Sequence, residues 1–257
     1  MYDPTNPYAA PTPVHESQPV LMAEVVRPTD SLRAVAQGLT INYWAVVVLL
    51  IATIGAGALR GFANSRPGGI QTVSEWMLLC GWLESLSRCL GMAGRILCLK
   101  TPPETGVTGI LYASIATAAI SILCDLAIRM RLGPPAIAYL GGLFAAISTF
   151  IFLFYLGKIA QYIGRRELAR KAKSVFYWFL GAMIAAVILV FAVAAWFSTP
   201  GNRPADSPGI LAFIGLVAIV GGLTYLVTIV RYAKLLLALS AAIREGFAGD
   251  ASSYPGS

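Results

Sequence analysis

Five long apolar runs, almost free of charge, divide this chain: residues 41–59, 107–123, 136–157, 175–197 and 209–230. Each reaches or approaches the ~20 apolar residues with which a helix crosses ~30 Å of hydrocarbon. In lipid the backbone must satisfy its own N–H and C=O groups, so runs of this length predict helices rather than isolated strands. Turn chemistry separates them. Arg66-Pro67-Gly68-Gly69, Pro102-Pro103, Gly133-Pro134-Pro135 and the Pro- and Gly-containing stretch 198–208 each break a helical pattern.

A sixth segment, residues 75–100, is patterned differently. Leu79, Leu83, Leu86, Leu90, Ala93 and Leu97 recur at spacings of three and four and form one helical face. Glu84, Arg88, Gly91 and Arg95 line another. The length is enough to cross a bilayer, yet each charge near the centre costs about 2.5–3.5 kcal/mol on the insertion scale. The fold expected is an all-α integral membrane protein, a bundle of six transmembrane helices. The alternative is five spans with residues 75–100 as an amphipathic helix in the interface.

Residues 1–28 carry Pro4, Pro7, Pro11, Pro13, Pro19 and Pro28 and are expected to form a disordered, Pro-rich cytoplasmic tail. Residues 29–246 form the single transmembrane domain, and 247–257 a short polar C-terminal tail. No basic region followed by a short apolar stretch precedes residue 41, so the first span is expected to act as an uncleaved anchor. Six helices make three hairpins, and Tyr43-Trp44 and Tyr177-Trp178 open the first and third at matching places. Arg95, Lys158 and Arg231 close the second arms, which is either a degenerate repeat or the usual gathering of cations at helix ends.

Composition agrees with the membrane class. Of 257 residues, 57% are hydrophobic and only 12% charged, with a mean hydropathy of +0.72. The net charge of +7 is not read as nucleic-acid binding, because multispanning proteins gather Lys and Arg in cytoplasmic loops. Six basic residues fall between Lys158 and Lys173, which puts that connection and the C-terminus in the cytoplasm. Arg129 and Arg131 then fall on the opposite side, against the rule. The preference for Arg over Lys and the Ala- and Gly-rich spans point to a bacterial cytoplasmic membrane.

Candidate chemistry is sparse. Glu84 and Arg88 stand at i and i+4 in the order that favours an ion pair. With Arg95 and Asp125 they make an intramembrane polar stripe, either a neutralised structural set or part of a solute path. Arg129 lies one turn beyond Asp125 and is expected to pair with it. Gly109, Ala113, Thr117 and Ser121 recur every four residues and suggest a helix-packing ridge. Gly215, Gly221, Gly222, Thr224 and Thr228 give the last span a small, weakly polar surface, for packing or for a broken helix. Arg165, Arg166, Arg170, Lys171 and Lys173 are candidate contacts to anionic lipid headgroups on a surface helix.

The four cysteines lie in or beside apolar segments with no CxxC pair, and the only histidine is His15 in the tail. No cofactor or metal is expected, and no HExxH, GxSxG, P-loop or GxGxxG motif points to catalysis. The expected role is a non-catalytic structural or interaction component of the membrane, its partners being lipid and another membrane protein or a second copy. The alternative is a small-solute or ion transporter or channel through the Glu84/Arg88 stripe.

Overall fold

Helices α1 (Asp30–Ser65), α2 (Gly69–Cys98), α3 (Thr108–Arg129), α4 (Ala136–Tyr162), α5 (Arg166–Ser198) and α6 (Pro208–Ser252) make up the computed structural model, joined by one 3-10 turn, Pro103–Thr105. It describes residues 30–65, 69–132, 134, 136–198 and 208–252. The Pro-rich tail, most of the 198–208 connection and the last five residues lie outside the described residues. All helices except α2 are long and apolar enough to cross a membrane. The chain is an integral membrane protein of all-helical class, with no strand among the described residues.

The bundle follows chain order: each helix packs on the next, and α6 returns to α1. The helix ends that include Asp30, Cys98, Thr108, Tyr162 and Arg166 gather at one end, which also carries most of the cations and is called the basic end below. Here the core is densest, built from Val35 and Leu39 of α1, Leu111 of α3, Phe152, Tyr155, Leu156 and Ile159 of α4, and Leu236 and Leu239 of α6. Toward the far end, large apolar side chains such as Ile54, Trp76, Leu123, Tyr139, Ile188 and Leu223 turn outward, as lipid-facing residues do.

Helix α2 settles beside α1 in antiparallel register. A Cβ built on Gly38 would stand 2.5 Å from the carbonyl oxygen of Gly94, and one on Gly55 would stand 3.3 Å from Cys80 Sγ. Between these levels the Ser87 hydroxyl donates to the Ala45 carbonyl at 2.7 Å. At about 1.5 Å per residue, 30 residues reach about 45 Å, and the contacts run along most of that length. An interfacial helix would lie across α1, whereas α2 runs alongside it. The lower apolar content of α2 is tolerated because its polar face meets α1, α3 and α4 rather than lipid.

Two reversals close on left-handed residues. Gly164 (φ 74°) turns α4 into α5, with the Arg165 N–H bonded back to the Ala160 carbonyl at 3.0 Å. Arg131 (φ 56°) does the same after α3, where the Leu132 N–H reaches the Ala127 carbonyl at 2.8 Å. The 158–173 region is therefore not a loop with its own surface helix: α4 ends at Tyr162, and Arg166 already opens α5. Helix α6 is likewise unbroken across Gly221 and Gly222, and the Thr224 and Thr228 hydroxyls bond back within it to the carbonyls of Val220 and Thr224.

The Gly38–Gly94 crossing yields a paired expectation. Gly94→Ala drives a methyl into Asn42 and the Gly38 carbonyl, and should lower stability by roughly 1–3 kcal/mol. Gly221→Ala, well inside α6, meets nothing within 4 Å, and should raise it by about 0.5–1 kcal/mol, the usual gain over Gly inside a helix. Thermal melts in detergent check both, and shifts of equal sign would remove the close crossing from consideration.

Candidate functional site

A helix places residues three and four apart on one face, and α2 uses this to aim Gly81, Ser85 and Arg88 toward α3. Arg88 Nη2 donates to Glu84 Oε1 at 2.6 Å within α2. Across the helix boundary, Arg88 Nη1 lies 3.8 Å from Asp125 Oδ1, and the Ser85 hydroxyl donates to Asp125 Oδ2 at 2.8 Å. Arg129 closes the set: its Nε lies 3.1 Å from Asp125 Oδ2, while its Nη2 donates to the Gly81 carbonyl at 2.7 Å. Two carboxylates and two guanidinium groups thus form one network of zero formal charge.

Asp125 is the hub, touching Ser85, Arg88 and Arg129. Helical spacing predicts both local pairs, Glu84–Arg88 and Asp125–Arg129, and the structure contains both. It adds what spacing cannot supply, the register between α2 and α3 that joins them. The anomalous position of Arg129 at the far end acquires a cause, since its guanidinium is held by Asp125, a backbone carbonyl and the Trp82 ring 5.8 Å away.

Arg95 does not extend this network. It is buried, donates to the Ser148 hydroxyl of α4, and stands 5.0 Å from the Phe152 ring centroid beside Tyr232 of α6. Ser148 and Ser114 are cross-bonded, each hydroxyl donating to the other's carbonyl oxygen, at 2.6 and 3.1 Å. No carboxylate lies within ion-pair distance of Arg95 among the described residues, and its buried Nε has no hydrogen-bond partner. Lys158 and Arg231, its counterparts in the three-hairpin comparison, are exposed. The three positions have different surroundings and do not act as equivalents.

The four-residue ridge is displaced. Gly109 and Ala113 are exposed, and Thr117 bonds back to the Ala113 carbonyl. The face of α3 that packs within the chain is Leu111, Ser114, Ala118 and Ser121, where Ser121 donates to the Gly141 carbonyl at 2.9 Å. A strict spacing of four drifts around a helix of 3.6 residues per turn, whereas the alternation 3-4-3 stays on one side. Of the ridge, Ser121 alone lies on the buried face.

The surface cations also separate. Arg165 pairs with Glu245 at 3.6 Å, and Lys171 is exposed. Arg166, Arg170 and Lys173 join Lys158 around a cavity of about 850 Å³ between α4 and α5. A second cavity, of about 960 Å³, lies among α4, α5 and α6 toward the far end. Gly142, Ala145, Ala182 and Gly221 leave it unfilled, and Arg88 reaches its wall. Among the described residues no three His, Cys, Asp or Glu side chains converge as metal ligands.

The chain matches no protein-family model, no curated protein and no solved structure.

Because Asp125 serves both arginines, Asp125→Asn should destabilise the protein by about 1–3 kcal/mol, more than Glu84→Gln does. The Glu84 side chain is 42% exposed against 21% for Asp125. Detergent melts of the two variants decide the order, and a larger loss from Glu84→Gln would displace Asp125 as the hub.

Proposed function

We propose that this chain is a non-catalytic multi-pass membrane protein, a structural or interaction component of a bacterial cytoplasmic membrane. Its basic end and C-terminus face the cytoplasm, against anionic lipid headgroups. The observation that carries this reading is the closed network of Glu84, Arg88, Asp125 and Arg129, whose charges bind helices to one another and leave none free for a passing solute. The filled basic half of the bundle, around Phe152, Tyr155 and Leu236, adds support, because a solute path would have to cross it. Gly109 and Ala113, exposed on α3, offer a small-residue surface to a helix of another protein or a second copy.

A second reading, transport of a small solute or ion, is favoured by one observation: Arg88 of the network also reaches the wall of the 960 Å³ cavity. Reconstitution into liposomes loaded with pH- and chloride-sensitive dyes separates the two. The component reading expects no flux above that of protein-free vesicles. A flux abolished by Glu84→Gln or Arg88→Gln at unchanged melting temperature would transfer the assignment to transport.

Sidedness is tested separately with a single cysteine replacing the exposed Glu167 in a background lacking the native cysteines. An impermeant thiol reagent should label it only after cells are opened, and labelling of intact cells would reverse the orientation.

A further inference from the structure

At the basic end, the 850 Å³ cavity between α4 and α5 has a charged rim and an apolar floor. Arg166, Arg170 and Lys173 stand at i, i+4 and i+7 on one face of α5, and Lys158 faces them from α4. No carboxylate lines the cavity, and none of the four cations is ion-paired among the described residues. Arg88, Arg129 and Arg165, by contrast, each have a carboxylate within 3.8 Å. Four uncompensated cations around one opening call for an anion.

The floor narrows the class of anion. Lys158 Nζ lies 5.8 Å from the Phe154 ring centroid and Lys173 Nζ 5.9 Å from that of Tyr177, so the charges sit directly above aromatic surface. Phe154 and Tyr177 are 52% and 57% exposed, which leaves the groove open at the side toward the lipid. Phe154 also lines a smaller apolar cavity against α3, and Tyr177 lines the large one toward the far end. The apolar surface therefore continues away from the charges, along the direction an acyl chain takes from its headgroup. A free phosphate would use the rim and leave the floor bare.

We propose that the α4–α5 groove binds one anionic phospholipid, its phosphate held by Lys158, Arg166, Arg170 and Lys173 and an acyl chain lying over Phe154 and Tyr177. This rests on the reading that the basic end meets a headgroup layer. Basic pockets between membrane helices on the cytoplasmic side are suited to such headgroups, each cation adding about 1 kcal/mol.

The test is a thermal melt of the full-length protein in detergent, titrated with dioleoylphosphatidylglycerol, dioleoylphosphatidylcholine or inorganic phosphate. Phosphatidylglycerol should raise the melting temperature saturably, with little effect of the other two. The triple variant Lys158→Gln/Arg170→Gln/Lys173→Gln should weaken the midpoint about fivefold per cation removed, and Arg165→Gln/Lys171→Gln should not. Equal weakening in both variants would overturn the discrete site and leave the headgroup reading standing. No lipid response in any protein would remove both. A response to phosphate equal to that of phosphatidylglycerol would reduce the groove to an ion site and overturn the lipid. Should the triple variant fail to fold, native mass spectrometry of Arg170→Gln serves instead: a lowered fraction of the phosphatidylglycerol adduct, matching about fivefold weaker binding, is expected, and retention at wild-type level overturns the proposal.

Discussion

Backbone meets backbone where α1 and α2 cross, and the remaining helices are arranged around that contact. Lipid tails are as apolar as leucine, so membrane helices gain little from hiding apolar surface from one another and rely on close fit and interhelical hydrogen bonds. Gly38 and Gly94 supply the fit. Ser87, bonded across to the Ala45 carbonyl at 2.7 Å, supplies a polar contact between the two helices, while Asn42 bonds back within α1 to the Gly38 carbonyl at 2.9 Å. With α2 held in this register, its polar face is directed at α3 and α4, where Asp125 and Ser148 receive it.

Electrostatics then divides the molecule lengthwise. In the α2–α3 seam opposite charges are matched one for one, and the cost of dehydrating each is met by its neighbours. Arg95 is accommodated differently, by a hydroxyl, a ring face and Tyr232. At the basic end matching ceases, and Lys158, Arg166, Arg170 and Lys173 share an opening without an acid. The small residues show another contrast: Gly142, Ala182 and Gly221 stand around open volume toward the far end, while Gly38 and Gly94 are in close contact near the basic end.

What the sequence makes legible is whatever depends on neighbours along one helix. Apolar runs and their Pro and Gly boundaries predict five of the helices, and the periodicity of residues 75–100 predicts the sixth. The pairs Glu84–Arg88 and Asp125–Arg129 follow from one turn of helix. The α2–α3 register is illegible, because it depends on how two helices slide past each other, so the hub role of Asp125 goes unseen. The intrachain face of α3 is hidden for a related reason: residues chosen at a spacing of four drift around a 3.6-residue turn, and it is Ser114 and Ala118, not Ala113 and Thr117, that turn inward. The crossing at Gly38 and Gly94 leaves a signal, since Gly94 follows Gly91 by three on α2 and Gly38 precedes Asn42 by four on α1. It becomes informative only when both helices are read together.

Arg95 also bears on the order in which the chain is made. Its companions Ser148, Phe152 and Tyr232 belong to α4 and α6, and Arg88's second carboxylate, Asp125, belongs to α3. All of these leave the ribosome after α2. A nascent α2 arriving alone at the translocon would expose Glu84 and Arg88 at about 2.5–3.5 kcal/mol for each charge near the bilayer centre, with Arg95 in its last turn. Among the described helices α1 alone precedes α2, and the glycine crossing is the contact available at that moment. That contact favours insertion of the two as a hairpin, with Arg88 and Arg95 gaining their remaining partners as later helices arrive.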